Sequence, residues 1–90
     1  MSGVYKCQAD LGINAVPKHI IASRSFTLPF APYPGVVIQF EEGGAEHEFD
    51  TVMWQVQSGQ FYLTERRDVM YESEERFEKD RDSWEGWDLV

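Results

Sequence analysis

Between Val36 and Thr64 the chain runs through three short stretches of alternating residues, and these limit its fold more than any other feature. Val36, Ile38 and Phe40 alternate with Val37, Gln39 and Glu41. Val52, Trp54 and Val56 alternate with Met53, Gln55 and Gln57, and Phe61 and Leu63 alternate with Tyr62 and Thr64. Residues two apart in a strand share a face, and β-branched and aromatic side chains suit a half-buried pleated surface. Gly43-Gly44 and Ser58-Gly59 supply the positive φ that tight hairpin turns require. The pattern predicts an antiparallel meander of three strands. A two-residue turn at Gly43-Gly44 would set Phe40 opposite His47 and Ile38 opposite Phe49. The apolar set then moves from odd positions 47 and 49 to even positions 52, 54 and 56. A strict alternation does not allow that shift, so a bulge or bend is expected at Asp50-Thr51.

Upstream, Val4 to Ala9 reads as a short strand and Asp10 to Asn14 as a turn region. Pro17 argues against helix there. His19 to Leu28 is the next strand, with Ile20, Ala22, Phe26 and Leu28 on one face. Arg24 interrupts that face, and a site near the sheet edge would let its head reach water. Pro29, Pro32 and Pro34 make the following segment a stiff connector. Its rings, Phe30 and Tyr33, either present to a partner or, as the cost of exposing aromatic surface favours, fold back to cap the sheet.

Downstream, Asp68 to Glu85 is the one helical candidate. Ser73 suits the N-cap, and Glu74 and Glu75 suit a first turn. Met70, Phe77 and Trp84 recur at intervals of seven, a stripe too thin for a core helix. Gly86 ends the element. The expected fold is mainly β (α+β). Four to five antiparallel strands form a curved sheet or small open barrel, with one C-terminal helix. A single domain covers 1–90, with a sheet body over 1–68 and an acidic helix and Trp-containing tail over 69–90. The core expected is Ile20, Ala22, Phe26, Leu28, Val36, Ile38, Phe40, Val52, Trp54, Val56, Phe61 and Leu63.

Charge narrows the function classes. The net charge is −8. Residues 1–40 carry a net +2, whereas 41–64 and 65–90 carry −5 each. Binding to nucleic acid or to an anionic membrane needs clustered Lys and Arg, and this chain has the opposite field. The single cysteine, Cys7, forms no internal disulfide, and no secretory leader or apolar stretch of membrane-spanning length is evident. A cytoplasmic protein is the expectation.

No nucleotide-binding, hydrolase, zinc-protease or EF-hand motif is present. Cys7, His19 and His47 are the nucleophile and imidazole candidates, but their spacing matches no metal or catalytic pattern. Cys7 reads as a small buried apolar residue. Glu46 and Glu48 point away from His47 on a strand, so the three do not chelate together. No cofactor and no metal are expected.

The preferred reading is a small non-catalytic acidic protein, a regulator or inhibitor that docks on a protein partner with a basic surface. Its contact residues would be Glu72, Glu75, Glu78, Asp82, Trp84 and Trp87, with Trp as a favoured interface anchor. The tail from Trp84 to Val90 suits either that docking role or packing on its own sheet. One alternative is a nucleic-acid mimic that inhibits a DNA- or RNA-binding enzyme. Another is a small-ligand or enzyme module with an aromatic pocket of Tyr33, Trp54 and Tyr62 near His47 or Cys7. An exposed sheet edge also offers a route to a homodimer by strand addition.

Overall fold

The computed structural model describes residues 3–90 and is built around one long hairpin, β1 (Tyr5–Ala15) and β2 (Lys18–Leu28). The two strands pair antiparallel along all eleven positions, from Tyr5↔Leu28 to Ala15↔Lys18, and Val16-Pro17 is the turn. The turn expected at Asp10 to Asn14 is strand instead. Cys7, Ala9, Leu11, Ile13 and Ala15 alternate as one unbroken buried face. Complete cross-strand pairing with β2 overrides the local turn tendency of Asp10, Gly12 and Asn14. Gly12 has a reason to be small, because a Cβ there would run into the Asp68 carboxylate and approach His19 Nε2.

After the proline connector come β3 (Val36–Gln39) and β4 (Glu46–Phe49), a separate two-stranded ribbon. Its register is Val36↔Phe49 and Ile38↔His47, two residues away from the expected pairing. The loop from Phe40 to Ala45 is longer than a two-residue turn, although Gly43 does take a positive φ of 81°. A shift of two preserves the face. His47 and Phe49 therefore still point inward, and Val36 and Phe49 join the buried cluster of β1.

The chain bends at Asp50, as the change of parity requires, and changes sheet. β5 (Thr51–Gln55) and β6 (Gln60–Thr64) form the second hairpin, turning through Gly59 at φ 65°. β6 then runs parallel to β1, with Cys7↔Phe61 and Ala9↔Leu63. β7 (Val69–Tyr71) is also parallel to β1, with Ile13↔Val69. The three-strand antiparallel meander is thus corrected to two hairpins in different sheets. Parallel neighbours need a long crossover, and between β1 and β6 the strand β2, the proline connector, the β3–β4 ribbon and β5 together provide it.

Ser73 caps α1 (Glu74–Lys79), its Oγ accepting from Arg76 N at 3.3 Å. The helix is only six residues long, shorter than expected. It gives way at Asp80 to a 3₁₀ turn (Arg81–Trp84) and then, past Gly86 at φ 92°, to β8 (Asp88–Leu89) on β2. Ile21 and Val90 exchange both backbone hydrogen bonds, at 3.0 and 2.9 Å. The main sheet runs β5-β6-β1-β2-β8, with β7 on β1. It is mainly β, open, and made of more strands than expected.

Phe77 and Trp84 are buried and complete the core from the C-terminal side, while Met70 is exposed. Of the expected core, Trp54 is 51% exposed and Val56 81% exposed. Val56 lies in the β5–β6 turn, and Trp54 lies on an edge strand. Alternation identifies a face; it does not say whether another layer covers it. Phe30 and Tyr33 do not cap the sheet either. Both stay exposed, and their ring centroids are 6.3 Å apart. No helix among the described residues is long and apolar enough to cross a membrane.

Candidate functional site

His47 is the organising residue of a cleft lined by carboxylates and aromatic rings. β4 aims it inward, where only 14% of its side chain is exposed. Its ring lies 5.5 Å from Trp87, 6.1 Å from Phe40 and 6.3 Å from Trp84, centroid to centroid. Its Nδ1 is 3.3 Å from Oε1 of Glu65, whose side chain is 20% exposed. Glu65 follows β6 directly, so the end of that strand delivers a carboxylate to a ring held by β4. Burial pushes the Glu65 carboxyl above the ordinary range, and this outweighs the attraction of His47. A perturbed carboxyl inside a cleft marks a functional-site candidate. Glu65 was not among the residues that sequence reasoning selected. Its partner is eighteen positions away, and no local pattern announces it.

The cleft above this pair has a volume of about 570 Å³. Its carboxylates are Glu41, Glu46, Glu65, Asp80 and Asp82, and its apolar wall is Val69, Tyr71 and Trp84. No Lys or Arg lines it. Tyr71 and Trp84 are locked in place. The Tyr71 hydroxyl donates to Asp80 Oδ2, and Trp84 Nε1 donates to the Tyr71 hydroxyl at 3.0 Å. Burial, followed by the hydrogen bond to Asp80, raises the Tyr71 phenol above its usual value. An oxygen-rich rim over an indole and a phenol suits a cationic group, since carboxylates attract it and ring faces tolerate it.

Arg24 shows this chemistry within the chain. Its guanidinium carbon lies 4.4 Å from the Phe40 ring centroid and 5.9 Å from that of Trp87. It lies near the sheet edge, as expected, on β2 just past the two residues that β8 covers; there it is half-buried against aromatic faces, and no salt bridge engages it among the described residues. A Cβ at position 86 would come within 3.0 Å of Arg24 Nη1, so Gly86 also makes room for it.

The sequence-selected contact residues are divided by the fold. Asp82 and Trp84 line the cleft. Trp84 is 7% exposed, and Trp87 packs edge-on against Phe40 at 5.4 Å, so the tail rests on its own sheet. Glu75 pairs with Lys79 at 3.7 Å, and Glu78 with Arg81 at 2.8 Å. Glu72 is exposed between β7 and α1.

The other candidate groups stay apart. Cys7 is buried in β1, and burial raises its thiol pKa. His19 is exposed and lies 3.2 Å from Asp68. Trp54 pairs with Phe61 while Tyr62 pairs with Met53 on the opposite face, so Trp54 and Tyr62 do not share a pocket. Among the described residues no three His, Cys, Asp or Glu side chains gather closely enough to hold a metal ion. A second groove of about 530 Å³ also borders Glu65. It mixes Glu46, Glu48 and Asp50 with Arg66 and Arg67. In it Asp50 Oδ1 is buried without a hydrogen-bond partner.

Comparison with protein-family models, with curated proteins and with solved structures found no match to this chain.

Proposed function

We propose that the protein is a small, non-catalytic, acidic interaction protein. It acts as a regulator or inhibitor, and its cleft receives a lysine or arginine side chain from a basic surface of a protein partner. The supporting observation is the composition of the cleft: five carboxylates, a fixed Trp84–Tyr71 wall and no cation in the lining. This moves the expected contact from the helix face to the cleft. Glu75 and Glu78 are already paired with cations of their own helix, whereas Glu41, Glu46 and Asp82 have no salt-bridge partner among the described residues. The attraction also extends beyond the cleft, because the net charge of −8 steers a basic surface toward it.

Affinity capture from native extract tests this with three baits: the wild type, Glu46→Lys/Asp82→Lys, and Glu75→Lys/Glu78→Lys. Capture by wild type and by the helix variant, with roughly tenfold weaker capture by the cleft variant and weakening in salt, is the expected result. Equal capture by wild type and the cleft variant would remove the cleft as the contact. A second reading, a small-ligand or enzyme module, draws on the partly buried His47–Glu65 pair. Loss of an activity in folded His47→Ala, with partner capture intact, would favour it.

A further inference from the structure

We propose that β5 is the contact through which two copies of this chain form a two-fold symmetric dimer, continuing the main sheet from one copy into the other. β5 pairs with β6 on one side and ends the sheet on the other. A sheet edge presents unpaired N–H and C=O groups, and proteins ordinarily blunt it with charge, proline, a bulge or short length. In the main sheet the other outer strands, β7 and β8, show such devices, and the stretch of β2 that β8 leaves uncovered carries Arg24. β8 is two residues long and contains Asp88. β7 is three residues long, with Arg66, Arg67 and Asp68 before it and Glu72 after it. β5 has five residues and no charge, proline or glycine. No ionisable acid or base occurs from Thr51 to Thr64 except the phenol of Tyr62.

Two arguments make the occupant a second copy. The first is charge. Two chains of net −8 repel over most of their surface, and this uncharged hairpin lets them meet without opposing carboxylates. The second is self-complementarity. An antiparallel β5 pair centred on Met53 sets Thr51 against Gln55, Val52 against Trp54, and Met53 against itself. Polar residues then meet polar ones, and apolar residues meet apolar ones. Residues opposite one another in an antiparallel pair make the side-chain contacts that stabilise a sheet.

The exposed side chains fit this register. Trp54 is half-exposed and packs edge-on against Phe61 at 4.8 Å, and Phe61 lies 6.1 Å from Tyr5. The pairing carries this aromatic row into the second copy, with each Trp54 covering the other's Val52. Met53, exposed on the other face, is buried at the two-fold axis. A two-fold contact is self-complementary, as this register is. None of these residues lines the acidic cleft, so the dimer stands independently of the proposed function.

Sedimentation equilibrium over a concentration series tests the proposal with wild type, Met53→Lys, Met53→Glu and an equimolar mixture of the two variants. Wild type is expected to dimerise. Each variant places like charges face to face at the axis and weakens the dimer about tenfold or more. The mixture, which opposes Lys to Glu, restores it. A wild type that stays monomeric into the millimolar range, variants as dimeric as wild type, or a mixture that restores nothing would each overturn the proposal. Amide exchange on the wild type provides a readout that does not depend on how the variants fold. The β5 amides become slower to exchange as concentration rises, and β5 exchange independent of concentration refutes the contact.

Discussion

Replacing Trp84 by alanine tests whether the C-terminal segment is part of the core. Trp84 is 7% exposed, so nearly all of its side chain leaves water on folding. Truncating a buried aromatic to alanine costs about 3–5 kcal/mol, through lost transfer energy and the cavity left behind. The indole also donates to the Tyr71 hydroxyl at 3.0 Å, a bond worth about 1 kcal/mol net. Trp84→Phe keeps much of the apolar volume and loses that donor, so its cost should be about 1–2 kcal/mol. Trp54→Ala is the control, because Trp54 is half-exposed and rests mainly on Phe61. Its cost should be about 1 kcal/mol under dilute, monomeric conditions. Total stabilities of small domains are about 5–15 kcal/mol, so Trp84→Ala removes a large share. Urea unfolding followed by far-UV circular dichroism measures all three, and constant slopes show that stability is what changed. A cost for Trp84→Ala equal to that for Trp54→Ala would refute the reading that the tail is docked on its own sheet.

Two further outcomes follow from titratable groups whose pKa burial raises. Glu65 has a folded-state pKa above its unfolded value, so folding favours its protonated form. The stability this provides is present below the ordinary carboxylate pKa and is lost as pH rises through the raised value. Glu65→Gln keeps an acceptor for His47 without that loss. Its stability relative to wild type should therefore grow across that window and then level off; a flat or falling difference in urea midpoints against pH contradicts the assignment. Cys7 is buried, with its thiol pKa raised by burial. Its reaction with a soluble disulfide reagent should be negligible in the native protein and immediate in urea, and fast native labelling would place Cys7 at the surface.

Much of the site was hidden from the sequence for a definite reason. His47 stands out as an imidazole between two glutamates, and Asp82 and Trp84 as parts of an acidic, Trp-bearing tail. Their partners come from other parts of the chain. Glu65 reaches His47 because β6 ends beside β4, and Tyr71 reaches Trp84 because β7 runs along β1. Salt bridges along a helix are legible from spacing, as Glu75–Lys79 is. A pair between strands of different sheets is not, since its spacing depends on the crossover.

The same division runs through the fold. Local features were legible in the sequence. Examples are the faces of β2, the positive φ at Gly43 and Gly59, the bend at Asp50, and the Ser73 cap followed by Glu74 and Glu75. These follow from side-chain alternation, backbone sterics and the orphan amides of a helix terminus. Which strands became neighbours and which faces were covered depended on how the folded chain packs. Turn tendency at Asp10 to Asn14 yielded to eleven cross-strand pairs, and β6 and β7 chose the free edge of β1 in parallel. Trp54 and Trp84 are the same residue type in apolar patterns, yet one lies on an open edge strand and the other is packed against His47, Tyr71 and Trp87. Burial depends on what packs above a residue, and that is a property of the assembled chain.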